Sequence, residues 1–142
     1  MRITKRTYES IVCYPRDVPP ETGGIIGSRK GDGIDTFVGD PGRESSYGCS
    51  YVPDTSFLNA KLEEWLLEGI LFAGMVHVHF HGVRTLSEGD KVYIKRILES
   101  MPRELQTLYF PLIVLPKREL VPYRAFLQDG ELSVEEDMLE IV

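Results

Sequence analysis

Residues 70–80 read ILFAGMVHVHF, and this stretch decides the fold that the sequence predicts. Its residues are apolar or small except for two histidines. A continuous apolar run is typical of a strand that is buried on both faces at the centre of a sheet. We therefore predict a central strand at 70–80, followed by a loop at 81–86, with His77 and His79 near the end of the strand.

The patterns on either side of this strand alternate between helix and sheet. Apolar residues recur at helical spacing behind possible capping residues in three segments, at about 5–14, 56–67 and 87–100. Strand patterns bounded by turn signals fall at 3–5, 23–29, 34–38, 108–115, 121–127 and after a turn at 128–130. This order predicts an α/β sandwich in which helices flank a mixed sheet, because hairpins make part of the sheet antiparallel.

The helices and loops also carry predictions about burial. One apolar stripe at helical spacing predicts a buried helix face, and it consists of Leu58, Leu62, Trp65 and Leu66. Cys13 on the first helix is predicted to be buried as well. The longest predicted loop is 39–50, which is rich in Gly, Ser and Pro, and we expect it to be the most mobile part of the chain.

The composition argues against several classes of protein. With 142 residues, 42% of them hydrophobic and 27% charged, the chain is predicted to be a single globular domain, residues 1–142. No run approaches the roughly 20 apolar residues that span a membrane, and no basic run exceeds a pair, so neither a membrane segment nor a nucleic-acid partner is expected. Two cysteines, Cys13 and Cys49, do not form a disulfide framework and predict a reducing, cytoplasmic location. The acidic run at 131–140 is expected to be a solvated face or tail.

The three histidines of the sequence are candidates for a functional site. His77, His79 and His81 follow one another at every second residue, and residues two apart in a strand project from the same face. His77 and His79 therefore present two imidazoles side by side. Imidazoles in an otherwise apolar strand need a partner, and a metal ion is the usual one, although a half-solvated strand face would also accommodate them.

Ser87 and Asp90 stand three apart where the third helix is predicted to begin, so their side chains share one face of its first turn. One interpretation is a capping pair, with Ser87 as N-cap and Asp90 complementing the helix dipole. The other is that Asp90 turns toward the two histidines. Two histidines and one carboxylate would leave the fourth position of a tetrahedral zinc ion open to water, which is typical of catalytic zinc sites.

Such a site also needs a proton acceptor, and the sequence contains no HExxH motif to supply one. Glu21 is the candidate, since it precedes Thr22-Gly23-Gly24 and an apolar strand. Glycines at a strand start let another backbone approach closely. The alternative interpretation is an exposed glutamate at the end of a loop.

Taken together, these residues resemble the JAMM motif of MPN-domain (Mov34, prokaryotic JAB-type) zinc metalloproteases. His77-x-His79-x7-Ser87-x2-Asp90 matches that motif spacing for spacing, and the segment from Glu21 to Gly27, ETGGIIG, is similar to the one that carries the family's catalytic glutamate. Gly74 matches a further habitual glycine. The resemblance covers at least residues 20–91, and the order of elements is similar to the MPN fold, a cytidine-deaminase-like three-layer sandwich.

The resemblance implies one Zn²⁺ per chain, bound by His77, His79 and Asp90. It implies that Glu21 is the general acid and base that moves a proton from water to the leaving amine, and that Ser87 helps to stabilise the oxyanion. Since similar proteins cleave amide or isopeptide bonds, the implied substrate is the C-terminal tail of a ubiquitin-like or sulfur-carrier protein, with E1-like and E2-like enzymes as further partners. The alternatives are a non-catalytic MPN scaffold and a zinc hydrolase that acts on a small amide or a nucleic-acid end.

One departure from the family pattern concerns the rim of the site. Family members often have proline after the second histidine, whereas Phe80 and His81 follow it here. Substrate contact is therefore predicted for Phe80 and His81, with a metal-ligand role for His81 as an alternative. Cys49 is expected to be a plain loop cysteine, the alternative being a thiolate that occupies the open zinc position.

Overall fold

The computed structural model describes residues 1–18, 20–42 and 51–142. The helices in these ranges are α1 (Lys5–Cys13), α2 (Thr55–Glu68) and α3 (Glu88–Ser100). The strands are β1 (Arg2–Ile3), β2 (Gly23–Ser28), β3 (Thr36–Asp40), β4 (Leu71–His79), β5 (Thr107–Tyr109), β6 (Leu112–Val114), β7 (Glu119–Val121), β8 (Tyr123–Gln128), β9 (Glu131–Glu136) and β10 (Glu140–Ile141). Each of these three α-helices begins behind a side chain that accepts a hydrogen bond from its first turn, and these N-caps are Thr4, Asp54 and Ser87; a short 3-10 helix at Arg103–Leu105 has no such cap.

The predicted central strand is confirmed, because β4 has partners on both sides. On one side it pairs antiparallel with β2, which in turn pairs antiparallel with β3. On the other side it runs parallel first to β5, at Gly74, and then to β6, along His77 to His79. The mixed character of the sheet that the sequence predicts is therefore present, with β4 as the strand where antiparallel and parallel pairing meet.

The two long strands predicted at 108–115 and 121–127 are each divided in the structure, so that part of the prediction was wrong. The breaks fall at Pro111 and Pro122, which have no backbone N–H to donate to a neighbouring strand. As a result β5 continues the sheet into β8 and β9, whereas β6 leads into β7. The end of β4 that carries the histidines thus pairs with the short strand β6, which in turn pairs with β7.

The sheet lies between two layers of helix. One face packs against α1 through a core that includes Ile11, Val76 and Val78. The other face packs against α2 and α3 through a second core that includes Trp65, Met75 and several further apolar residues, among them Leu58, Ile94 and Leu98. The predicted three-layer α/β sandwich is confirmed. Because side chains alternate along β4, His77 and His79 share the face of Met75 and point toward the side of α2 and α3.

Two burial predictions need correction, and a third is confirmed. Leu66 is 80% exposed, because each residue turns a helix by about 100° and Leu66 lies beyond the face set by Leu58 and Trp65. Cys13 is exposed at the last turn of α1, on the side of the helix opposite Ile11. The acidic run, predicted to be a solvated face or tail, is a solvated face, since residues 131–136 form β9 paired with β8 and the glutamates of the run are exposed.

The predicted loop at 39–50 begins later than expected, because Gly39 and Asp40 belong to β3 and pair with β2. The remainder of that prediction, including its mobility and the role of Cys49, lies at positions outside the described residues. In the described ranges no helix is both long enough and apolar enough to span a bilayer.

Candidate metal centre

The candidate site lies where β4 ends and α3 begins. His77 and His79 occupy the end of β4, and a short loop at 80–86 leads to Ser87, the N-cap of α3. Since the strand fixes the two imidazoles on one face and the cap fixes the first turn of the helix, Asp90 is brought directly against the histidine pair. Strand alternation and the helix cap therefore orient these three side chains.

The three potential ligand atoms form a compact triangle. The His77 Nε2 and His79 Nε2 atoms are 3.2 Å apart. The Asp90 Oδ2 atom lies 3.1 Å from His79 Nε2 and 3.4 Å from His77 Nε2. Among the described residues this is the group of histidine, cysteine and acidic side chains whose geometry could hold a metal ion.

These separations fit a tetrahedral metal. With metal–nitrogen and metal–oxygen bonds of about 2.0–2.1 Å, neighbouring ligands of a tetrahedral zinc ion lie about 3.3 Å apart. The observed edges of 3.1–3.4 Å match that value. Two imidazoles and a carboxylate are also a donor set that zinc prefers. The residues present therefore fit a metal ion with one position left for another ligand.

The loop after β4 sets the orientation of His79. Its Nδ1 atom lies 3.3 Å from the carbonyl oxygen of Val83, which can accept a hydrogen bond from Nδ1–H. That bond leaves the Nε2 lone pair directed at the triangle, as a metal ligand requires. The loop is itself held, since the Tyr123 hydroxyl donates to the Arg84 carbonyl at 2.6 Å and the Arg84 guanidinium pairs with Glu119.

Asp90 both caps the helix and faces the histidines, so the two interpretations of Ser87 and Asp90 are not exclusive. The Ser87 N–H donates to Asp90 Oδ2 at 2.8 Å, and the Asp90 N–H donates to Ser87 Oγ at 3.0 Å. This capping box locks the carboxylate in place. Because Ser87 Oγ acts as an acceptor there, its hydroxyl hydrogen is free to be donated into the cleft that Ser87 lines.

Charges in the site reinforce one another. Burial alone would raise the pKa of Asp90, but hydrogen bonds from His77 and His79 lower it far below its ordinary value. Burial likewise opposes charge on His79, yet the hydrogen bond and negative charge of Asp90 outweigh it and raise the pKa of that ring. The Asp90 carboxylate therefore favours a positive charge beside it in this group of side chains.

Glu21 lines the same cleft, which has a volume of about 760 Å³. The pairing of β2 with β4 brings it there, because Gly23, two residues after Glu21, lies opposite His77. Burial raises the pKa of Glu21 above its ordinary value, and the nearby histidines only partly offset this. Half-buried and beside the triangle, Glu21 is not the exposed loop glutamate that the sequence left as an alternative.

Phe80 and His81 lie at the rim. Both line the cleft, Phe80 half-buried and His81 exposed. His81 adopts a left-handed backbone conformation with φ of 60°, so the strand alternation ends before it. It therefore does not join His77 and His79 on their face, and it is outside the group of potential ligands.

Two residues near the cleft had no signal in the sequence. Tyr51 lines it, and Asp40 is 0% exposed and binds the Tyr51 hydroxyl. Both lie in or next to a segment that reads as a polar loop, where neither periodicity nor a motif marks them. Their proximity depends on long-range contacts that no local pattern records.

Solved structures show the same architecture. Protein DSY2949 from Desulfitobacterium hafniense is 20% identical, with a TM-score of 0.64, and the match covers 99% of this chain and 92% of that chain. A JAB1/MPN domain protein from Archaeoglobus fulgidus is 18% identical, with a TM-score of 0.55, and the match covers 100% of this chain and 97% of that one. The chain has an MPN-like fold. No family model and no curated protein matches the sequence. In this MPN-like fold, the His77, His79 and Asp90 group could bind a metal ion.

Proposed function

We propose that this protein is a zinc-dependent hydrolase of amide bonds, with His77, His79 and Asp90 as the zinc ligands. The observation that carries the proposal is the triangle of ligand atoms with edges of 3.1–3.4 Å, which opens on the cleft that also contains Glu21. Structural zinc sites are usually closed by four protein ligands, whereas catalytic sites have three and an open position. When bound, the metal supplies Lewis acidity toward water and a carbonyl.

The proposed chemistry of the protein itself rests on two side chains. Glu21 removes a proton from the attacking water and delivers it to the leaving amine, and its raised pKa makes it a stronger base than an exposed glutamate. Ser87 donates its hydroxyl hydrogen toward the oxygen on which negative charge develops. The hydrogen bonds between Ser87 and Asp90 keep these two side chains in place before substrate binds.

The proposed substrate is an extended C-terminal tail of a ubiquitin-like or sulfur-carrier protein. Apolar side chains line much of the cleft, among them Met75, Val83, Ile94 and Phe110, which suits a peptide better than a polyanion. In the described part of the sheet, β3 is an edge strand. Its end at Asp40 lies opposite Gly23, which lies opposite His77, so a tail added to β3 would lie three strand spacings, about 14 Å, from the backbone of β4 that carries the histidines.

The proposed setting follows from the same substrate class. In this proposal, E1-like and E2-like enzymes supply or share the ubiquitin-like partner. We place the reaction in a reducing, cytoplasmic compartment, consistent with the free thiol of Cys13.

The test is cleavage of a panel of ubiquitin-like fusions and short peptides by the zinc-loaded protein. We expect cleavage that Glu21→Gln abolishes while zinc remains bound at one ion per chain. Glu9→Gln is the matched control, because Glu9 is an exposed glutamate on α1, on the other side of the sheet. Zinc binding without Glu21-dependent cleavage of any fusion would favour a zinc hydrolase that acts on a small amide. A lack of stoichiometric zinc would favour a non-catalytic scaffold.

A further inference from the structure

The most deeply buried carboxylate in the described residues lies outside the proposed zinc ligands. Asp40, at the end of β3, is 0% exposed. Its Oδ1 atom accepts the Gly42 N–H at 2.9 Å, and its Oδ2 atom accepts the Asp54 N–H at 3.0 Å and the Tyr51 hydroxyl. A buried carboxylate is costly unless its oxygens are satisfied, so three donors on one group indicate a specific structural use.

The donors come from both sides of residues 43–50. Gly42 precedes that segment, and Tyr51 and Asp54 follow it. One carboxylate therefore ties the chain before the segment to the chain after it. Asp54 also caps α2, so the same carboxylate connects β3 to the beginning of that helix.

Tyr51 carries this connection into the cleft. Its ring lies over Gly23, where a Cβ atom would stand 2.6 Å from Tyr51 Cε1. Gly23 pairs with Asp40 on one side and with His77 on the other. Tyr51 and Glu21 line the same cleft. The glycine thus makes room for a tyrosine that stands between the buried carboxylate and the proposed general base.

We propose that Asp40 and Tyr51 are positioning residues that form a clasp, in which the Asp40 carboxylate holds the Tyr51 hydroxyl and thereby keeps the Tyr51 ring over Gly23, in the cleft wall beside Glu21. Neither side chain exchanges a proton with substrate in this proposal. The inference rests on the proposed function in one respect, since the positioning matters for catalysis only if Glu21 moves the proton. The contact itself is independent of activity and can be measured without it.

Tyr14 offers a matched control. Its hydroxyl donates to the backbone carbonyl oxygen of Asp40 at 2.8 Å, whereas the Tyr51 hydroxyl binds the carboxylate of the same residue. Tyr14→Phe and Tyr51→Phe therefore each remove one hydroxyl bonded to Asp40 and keep the ring. Only Tyr51→Phe frees from Asp40 a ring that lines the cleft together with Glu21.

The first measurement is the ¹³C resonance of the Glu21 side-chain carboxyl in the metal-free protein. We expect it to move in Tyr51→Phe and in Asp40→Asn and to stay at its wild-type position in Tyr14→Phe, with all variants folded by thermal denaturation. An unchanged resonance in folded Tyr51→Phe, or an equal change in Tyr14→Phe, would overturn the clasp whether or not the protein is active.

The second measurement separates positioning from folding. With a cleaved substrate in hand, Tyr51→Phe should lower kcat by about 10-fold to 100-fold, because a misplacement of about 1 Å can cost a factor of that size. KM and zinc content should stay near the wild-type values, and Tyr14→Phe should keep wild-type kcat. Parallel loss of zinc and kcat would overturn the inference. If the carboxyl resonance responds as expected but the wild type cleaves nothing in a Glu21-dependent way, the proposed function fails and the clasp stands.

Discussion

At the scale of single residues, Ser87 serves two purposes with one hydroxyl group. Its oxygen accepts the Asp90 N–H as an N-cap, and its hydrogen is available to the cleft. The first use stabilises α3, and the second is proposed to act on the developing oxyanion. These contributions can be separated, because another helix in the same protein has a cap of the same kind and no role in the site.

Ser87→Ala should lower the free energy of unfolding by about 1 kcal/mol, since it removes an N-cap. It should also lower kcat by about 100-fold or more, in the range found when an oxyanion donor is removed. Urea denaturation and initial rates measure the two effects. Thr4→Ala is the matched control: Thr4 caps α1, so we expect a similar loss of stability and unchanged kcat. Equal kcat losses in both variants would show that Ser87 acts through stability alone.

His79 gives the metal-free protein a distinctive pH dependence. Burial disfavours its charged form, but Asp90 raises the pKa of His79 above its ordinary 6.5. A raised folded-state pKa means that the pair contributes full stability below pH 6.5 and loses it as the pH rises through the folded value. We therefore expect the metal-free protein to lose stability across this range.

Urea denaturation at several pH values, with and without a chelator, tests the sign. Zinc requires neutral imidazoles, so the zinc-loaded protein should show the opposite trend and gain stability as the pH rises from about 6 to 8. His79→Gln should remove the dependence in the chelated protein. A chelated wild type whose pH profile coincides with that of His79→Gln would contradict the assignment.

At the scale of secondary-structure elements, Gly74 determines how β4 meets its parallel neighbour. It has φ of 145°, and a Cβ atom there would stand 1.6 Å from the Tyr109 carbonyl oxygen in β5. The register of β2 against β4 shifts at the same level of the sheet. Glycine at this position lets the sheet change its partner strands just before the histidines, so an element-level feature supports the geometry of the site.

Gly74→Ala should therefore lower the free energy of unfolding by at least about 3 kcal/mol, since it adds backbone strain to a clash with another backbone. Gly69→Ala is the control, because Gly69 also has positive φ, 74°, but has nothing within 4 Å of its Cβ position. There we expect a loss of about 1 kcal/mol. Chemical denaturation measures both, and similar values for the two variants would show that close packing at Tyr109 is unimportant.

At the scale of the whole molecule, the metal site joins the end of β4 to the start of α3. Zinc that binds the folded but not the unfolded chain should raise the free energy of unfolding by about 2.7 kcal/mol when free zinc is 100 times its Kd. A chelator should reverse the gain in thermal denaturation. Asp90→Asn should show little response to zinc, whereas Glu88→Gln should respond as the wild type does, since it changes an exposed carboxylate in the same turn. Equal zinc responses in the two variants would rule out Asp90 as a ligand.

Several predictions from sequence failed for reasons that lie at this largest scale. Leu66 fits the apolar stripe of α2, but among the described residues none covers the side on which it lies. Cys13 was predicted to be buried, but it lies on an exposed side of α1. The predicted strand at 108–115 divides at Pro111, and β5 and β6 pair with different parts of β4. The predicted strand at 121–127 divides at Pro122, so that β7 pairs with β6 and β8 pairs with β5. Periodicity reports which face of an element is apolar, not which elements come to cover it.

The sequence predicted the central strand, the histidine pair and the helix cap, and it offered the approach of Asp90 to the histidines as one of two interpretations. Strand alternation and capping act within a few residues, so spacing alone sets their geometry. Long-range contacts place Glu21 in the cleft, through the pairing of Gly23 with His77, and bring Asp40 and Tyr51 together beside it. These contacts join residues far apart in the chain, where no local period connects them.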